Sequence, residues 1–253
     1  MKIWSRLTLL VITFLFTGLS LTACTLLPFS SVITPDSVYQ QRWFHNPEGI
    51  GKFYMGREIA QVMGHEGAAW LERSRREATE QPQQAIQALN LKPTDIVADI
   101  GAGTGYFTFR ISPFLPEGQV LAVDVQPEML KLIDFVKTQE QITNVETILA
   151  DVAHPHLPTS TVDIALLVDT YHELEYPQEM LQGIWEGLKP GGRVVLVEYR
   201  QEDPWIMIKG LHKMTKKQIC KELEAAGFVW QETNEMLPQQ HLIIFQKPLL
   251  TFH

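Results

Sequence analysis

Cysteine is nearly absent from this chain: among 253 residues there are only Cys24 and Cys220. Two such distant cysteines make no disulfide framework, so the fold must rest on a buried apolar core. Cys220 falls in the helical pattern Ile219, Leu223, Ala226, which reads as packed core. Positive charge is scarce as well, with 21 Lys and Arg against 29 Asp and Glu and a net charge of −8. A chain this acidic lacks the bulk field that grips a nucleic-acid backbone, so no nucleic-acid partner is expected. The histidines supply no HExxH spacing, and His154 and His156, flanking Pro155, have no third ligand nearby in sequence. No metal is expected on that count. A Gly-x-Ser-x-Gly elbow and a P-loop lysine are also lacking, as are internal repeats and low-complexity tracts. What remains, 45% hydrophobic and 20% charged, is ordinary for a globular protein with a sizeable core.

Long apolar runs are missing too, except one. Lys2 and Arg6 precede an apolar segment from Leu7 to Leu21, interrupted only by small or hydroxyl residues. That is the shape of a secretory signal, too short for a comfortable membrane span. It ends Leu21-Thr22-Ala23-Cys24, which resembles the lipobox of bacterial lipoproteins. The resemblance implies cleavage before Cys24, its acylation, and a membrane-anchored lipoprotein of a bacterial envelope. A signal anchor or a cytoplasmic location is the alternative. Residues 1–23 thus read as signal sequence, and 24–41, rich in Ser, Thr, Pro and Gln with little periodicity, as a tether.

Residues 42–80 have an odd composition. Arg42-Trp43-Phe44, Phe53 to Ile59, Val62 to His65 and Ala69 to Arg73 place apolar and aromatic residues at helical spacing between glycine breaks. This predicts a small N-terminal helical cap of short helices, with Arg73 to Glu80 as a solvated, charge-laced helix end. Arg57, Glu58, His65, Trp70 and Arg73 either roof a pocket or lie outside as ion pairs; the sequence leaves both open.

From residue 81 to 247 strand and helix patterns alternate. Strands are expected at Ile96–Ile100, Gln119–Val123, Val145–Leu149, Val162–Val168, Arg193–Tyr199, Phe228–Thr233 and His241–Gln246, with helices between most of them. Such alternation predicts an α/β fold with a mostly parallel sheet covered on both faces. The last two strands are separated only by a turn containing Pro238 and should pair antiparallel.

The most informative stretch is Val97-Ala98-Asp99-Ile100-Gly101-Ala102-Gly103-Thr104-Gly105-Tyr106. A β-branched run ends in an acidic residue and is followed by glycines at every second position. At a strand-to-helix turn such glycines admit positive φ and close approach of a ligand. The dinucleotide fingerprint wants its last glycine where this chain has Tyr106, which disfavours a nicotinamide oxidoreductase. Asp124 closes the next strand about 20 residues on, where a carboxylate grips a ribose diol.

Together with Ala150-Asp151-Val152 and Leu188-Lys189-Pro190-Gly191-Gly192-Arg193, these segments resemble the successive motifs of class I S-adenosylmethionine-dependent methyltransferases. The resemblance covers roughly residues 80 to 247 and implies a Rossmann-like seven-stranded sheet and S-adenosylmethionine as cofactor. It implies that Gly101, Gly103 and Gly105 line the methionine part and that Asp99 helps hold the amino group. Asp124, with Val125 beside it, would meet the ribose, Asp151 with the Val152 amide the adenine edge, and Asp169 would complete the cofactor site. Each aspartate is also of a type that caps helices after a strand.

After the fourth strand, Asp169-Thr170-Tyr171-His172-Glu173 stands where the family often faces the transferred methyl. His172 is the expected general base, because imidazole titrates near neutral pH, with Tyr171 and Glu173 as the other candidates. The expected acceptor is a small molecule, of the kind taken by quinone-type methyltransferases. A non-catalytic, cofactor-binding lipoprotein acting as sensor or assembly factor is the competing reading.

Overall fold

The computed structural model describes residues 38–249. The signal-like segment, Cys24 and most of the tether lie outside the described residues. The first elements are strands, which corrects the expected helical cap. β1 (Tyr39–Gln41), β2 (Gly49–Tyr54) and β3 (Arg57–Ala60) form an antiparallel three-stranded sheet. The aromatic spacing fits a helix as well as a hairpin, and the local turn decides for the hairpin. Met55-Gly56 is a two-residue turn with φ of +47° and +101°, the geometry of a tight hairpin, and it sits between two runs that pair Tyr54 with Arg57. The tether therefore ends in a strand at Tyr39. Only afterwards do short helices follow, α1 (Ala68–Leu71) and α2 (Arg76–Thr79), and then α3 (Pro82–Ala88), with Pro82 at its first turn.

The main sheet is built as the alternation predicts. β4 (Ile96–Ile100) is followed by α4 (Thr108–Ile111), β5 (Gln119–Asp124), α5 (Pro127–Gln139), β6 (Val145–Leu149) and β7 (Val162–Val168). Then come α6 (Pro177–Gly187), β8 (Leu188–Tyr199), α7 (Lys216–Ala225), β9 (Val229–Asn234) and β10 (Gln240–Gln246). The order is β6-β5-β4-β7-β8-β10-β9, parallel from β6 to β8, with β10 antiparallel to both of its neighbours. This is the Rossmann-like, seven-stranded sheet. Its central strands are apolar on both faces because helices cover both: Leu121, Val123, Ala165 and Leu167 pack with α6 and α7, while Val120, Ala122, Ile164 and Leu166 pack with α3 and α5. Pro127 and Pro177 preset the first turns of α5 and α6, and the Thr215 hydroxyl accepts the Gln218 N–H at 3.1 Å to cap α7.

The N-terminal sheet is fixed to the body by a buried ion pair. Arg57 Nε donates to Glu222 Oε1 of α7 at 2.8 Å, and Nη2 to Oε2 at 3.1 Å. Glu222 is wholly buried and also accepts from Tyr171 Oη at 2.8 Å and Gln218 Nε2 at 2.7 Å, which fills its acceptor sites. No helix among the described residues is long and apolar enough to cross a membrane.

Candidate active site

Ligands of open α/β sheets bind beyond the carboxyl ends of the strands. A cavity of about 550 Å³ lies there, lined by Ile100 and Gly101 after β4, Asp124 and Val125 after β5, and Asp169 and Thr170 after β7. Residues before the main sheet form another wall: Gln61, Val62, Met63, Trp70, Leu71 and Arg76. The loop after β8 adds Met207, Ile208, Lys209 and His212.

The glycine turn is shaped for close approach. Gly101 has φ +73° and Gly103 φ +55°; a Cβ on Gly101 would stand 2.3 Å from the Thr170 methyl, and one on Gly103 2.7 Å from Leu71. Gly105 shares the left-handed conformation, but its Cβ would strike the Phe109 ring, and it does not line the cavity. Its role is to start α4.

Asp124 ties the turn to β5. Its Oδ2 accepts the Gly103 N–H at 2.9 Å and its Oδ1 the Gln126 N–H at 2.8 Å, so one carboxylate holds the glycine turn and the entry to α5. Desolvation raises its pKa, opposed by those backbone donors. Asp169 sits at φ +49°, with Oδ2 accepting from Gln240 Nε2 at 2.7 Å. Its Oδ1 is buried and has no hydrogen-bond partner. Desolvation, with Glu80 and Glu198 nearby, pushes its pKa well above the ordinary carboxylate value. A buried acceptor beside a cavity is a place for a ligand's donor.

His172 is 2% exposed and is gripped from behind: its Nδ1 stands 2.6 Å from Glu198 Oε2, while Glu198 Oε1 accepts the Tyr171 N–H at 2.8 Å. On the cavity side His172 Nε2 lies 3.1 Å from His212 Nδ1 and 3.7 Å from Glu173 Oε1. Burial would lower the imidazole pKa, but Glu198 and Glu173 outweigh it and raise it to about 10. Burial likewise would raise Glu173, yet the two histidines bring it down to about 2. This corrects the expected base titrating near neutrality: between two carboxylates the imidazole keeps its proton.

Other expectations also change. The Tyr171 ring is fully buried, and its hydroxyl points to Glu222, away from the cavity, so Tyr171 leaves the set of catalytic candidates. Asp99 lies beneath the turn, outside the lining; Thr108 Oγ1 donates to it at 2.6 Å, and desolvation raises it to about 6. The Asp151 side chain is exposed, 2.9 Å from His156 Nε2, and its neighbours Ala150 and Val152, not Asp151 itself, reach the cavity. Arg57, Glu58 and His65 do not line it, whereas Trp70 does. The Arg73–Glu80 segment is solvated only in part: Ser74, Arg75, Glu77 and Ala78 are exposed, but two of its charges are not. Arg76 and Glu80 are 4% and 1% exposed, paired at 2.6 Å, and Glu80 also accepts from Tyr199 Oη at 2.8 Å and from Arg73.

The sequence reading missed Glu198 as the partner of His172 and the meeting of His172 with His212. A carboxylate at the end of the apolar run Val194–Val197 was the available signal, since a buried charge demands a partner.

Residues 91–242, more than half of the chain, match the family model described as a methyltransferase domain. The chain belongs to that family. This methyltransferase domain is 31% identical over 147 residues to an uncharacterized methyltransferase-like protein of Schizosaccharomyces pombe, covering 57% of this chain and 53% of the relative. It is 27% identical over 116 residues to the ubiquinone/menaquinone biosynthesis C-methyltransferase of Ectopseudomonas mendocina, covering 45% of each. The chain thus spans about half the length of these curated relatives. Among solved structures, an S-adenosylmethionine-dependent methyltransferase from Aquifex aeolicus superposes with a TM-score of 0.69 at 22% identity, covering 74% of this chain and all of that one. The family and fold imply S-adenosylmethionine as cofactor. The residues of the methyltransferase domain suit it: Gly101 and Gly103 of the glycine turn, Asp124 after β5 and Asp169 after β7 all stand at the wall of one cavity.

Proposed function

We propose that this protein is an S-adenosylmethionine-dependent methyltransferase acting on a small acceptor with an apolar body. When bound, S-adenosylmethionine supplies an electrophilic methyl group. Gly101 and Gly103 let the backbone approach the donor, Asp124 offers its carboxylate to the ribose hydroxyls, and Asp169 Oδ1 accepts from the amino group. Val125 and Val152 give the apolar sides of the cofactor pocket. The observation that carries this reading is that Gly101, Gly103, Asp124 and Asp169 line one cavity beyond the carboxyl ends of the parallel strands.

The volume of about 550 Å³ is that of a small-molecule site. Met63, Trp70, Leu71, Met207 and Ile208 would enclose the body of the acceptor and exclude water, while His172 and Glu173 meet its polar end. Glu198 keeps the His172 proton on Nδ1 and so fixes the direction of Nε2. Alignment of acceptor and methyl donor is the main contribution such a site makes. A ubiquinone/menaquinone C-methyltransferase among the relatives supports an acceptor of quinone type.

The lipobox-like Cys24 supports attachment to a bacterial membrane through an acylated residue, and metabolic labelling with a radioactive fatty acid tests it against the Cys24→Ala variant. The methyltransferase reading is tested by calorimetry with S-adenosylmethionine and by formation of S-adenosylhomocysteine with quinol acceptors. Micromolar binding with product formation is expected. Binding without turnover on any acceptor would favour a non-catalytic cofactor-binding lipoprotein, and no binding would overturn both.

A further inference from the structure

Three groups that ligate metals converge on one point of the cavity. His172 Nε2, His212 Nδ1 and Glu173 Oε1 form a triangle with edges of 3.1, 3.2 and 3.7 Å. An ion about 2.0–2.2 Å from each of three ligand atoms at tetrahedral or octahedral angles would hold them about 2.9–3.5 Å apart, a range that the two edges to His212 meet and that the His172–Glu173 edge exceeds by about 0.2 Å. The two imidazole rings stand 5.0 Å apart, centroid to centroid, at 74°. Two imidazoles sharing one ion have centroids about 5 Å apart.

The surroundings supply the rest of a metal site. Glu198 Oε2, 2.6 Å from His172 Nδ1, leaves the Nε2 lone pair facing the cavity, the carboxylate–histidine arrangement that orients metal-bound imidazoles. Glu173 Oε2 accepts the Met63 N–H at 3.2 Å, so Oε1 is the oxygen left for a cation. Histidine, histidine and carboxylate on one side, with a cavity on the other, is a donor set for a divalent first-row transition metal with open coordination positions. We infer that His172, His212 and Glu173 bind one divalent transition-metal ion at the wall of the cavity.

The two negative charges of Glu173 and Glu198 offset the charge of such an ion. With the ion in place, an oxygen of the acceptor would complete its coordination and be drawn toward the methyl donor. That use rests on the methyltransferase reading; the metal site itself does not.

The test uses the full chain, stripped with a chelator and then titrated calorimetrically with Zn²⁺, Mn²⁺ or Co²⁺, with bound metal counted by mass spectrometry. One equivalent of at least one of these ions is expected, with visible d–d bands for the Co²⁺ form. His212→Ala should weaken binding by more than about 100-fold and Glu198→Gln by about 10- to 100-fold. His156→Ala removes a member of the separate, exposed Asp151–His156 pair and should leave affinity unchanged. S-adenosylmethionine calorimetry on each variant reports folding independently, so loss of metal with cofactor binding retained is the supporting result. Less than a tenth of an equivalent of every ion, or equal affinity in His212→Ala and the parent, would overturn the site and leave the methyltransferase reading intact.

Discussion

His172 Nδ1 and Glu198 Oε2 meet at 2.6 Å with neither side chain more than 2% exposed. A buried imidazolium deprived of its carboxylate is costly. Glu198→Ala should therefore lower unfolding stability by about 3 kcal/mol, measured in urea at neutral pH, whereas Glu198→Gln, which keeps an acceptor for the Tyr171 N–H, should lose less. Equal stability in all three proteins would remove this contact from the forces that hold the site.

The same imidazole lines the cavity, and in the proposed reading it meets the polar end of the acceptor. His172→Ala is expected to lower kcat by roughly 100-fold while the affinity for S-adenosylmethionine stays near that of the parent. A parallel loss of cofactor affinity would instead assign His172 to the donor side.

Asp124 carries two backbone hydrogen bonds and a place in the cavity wall. Its replacement by alanine should weaken S-adenosylmethionine binding by about 2 kcal/mol, because a charged acceptor for hydroxyl donors is lost. Calorimetry with the parent and the variant side by side gives the answer; matching dissociation constants would exclude Asp124 from the cofactor site.

Gly101 combines a left-handed φ with a neighbour 2.3 Å from any added Cβ. Gly101→Ala is expected to cost about 2 kcal/mol in stability and to reduce cofactor affinity in the protein that still folds. Should the alanine variant melt and bind like the parent, the close packing of the turn against Thr170 would carry no function.

Asp99 gives a pH signature. Its folded pKa, near 6 through desolvation, lies above its ordinary value of 3.8. The native state then binds this proton more tightly than the unfolded state. The contribution to stability is complete below pH 3.8 and is lost as pH rises through 6. Asp99→Asn, which stays neutral, should thus gain about 2 kcal/mol on the parent at pH 8 and little at pH 4. Denaturation at both pH values checks this, and a gain independent of pH would show that the Asp99 charge is not the cause.

The main sheet was legible because buried parallel strands write continuous apolar runs, and the glycine turn because its glycines follow such a run at every second position. Asp124 could be placed from its distance to the glycines. The N-terminal strands were not legible: Phe53, Tyr54 and Ile59 satisfy a helical spacing as well as a hairpin, and only the Met55-Gly56 turn decides between them. The roles of Tyr171 and Asp151 were also hidden. Both stand next to residues that line the cavity, and whether a neighbour points in or out depends on local backbone angles that no spacing records. His212 met His172 only through the fold, since 40 residues separate them.

The wall made by Gln61–Met63, Trp70, Leu71 and Arg76 lies wholly before residue 91, where the family match begins, while Gly101, Asp124 and Asp169 lie wholly within it. In the proposed reading, one wall of the acceptor site, with Met63, Trp70 and Leu71, is therefore written on a different length of the chain from the residues that would grip the donor. On that reading, substitutions in the earlier length would change the fit of the acceptor while leaving the residues proposed for the donor untouched. Two proteins with the same residues from 91 onward, but different ones before it, would share the proposed donor residues and differ in one wall of the acceptor site.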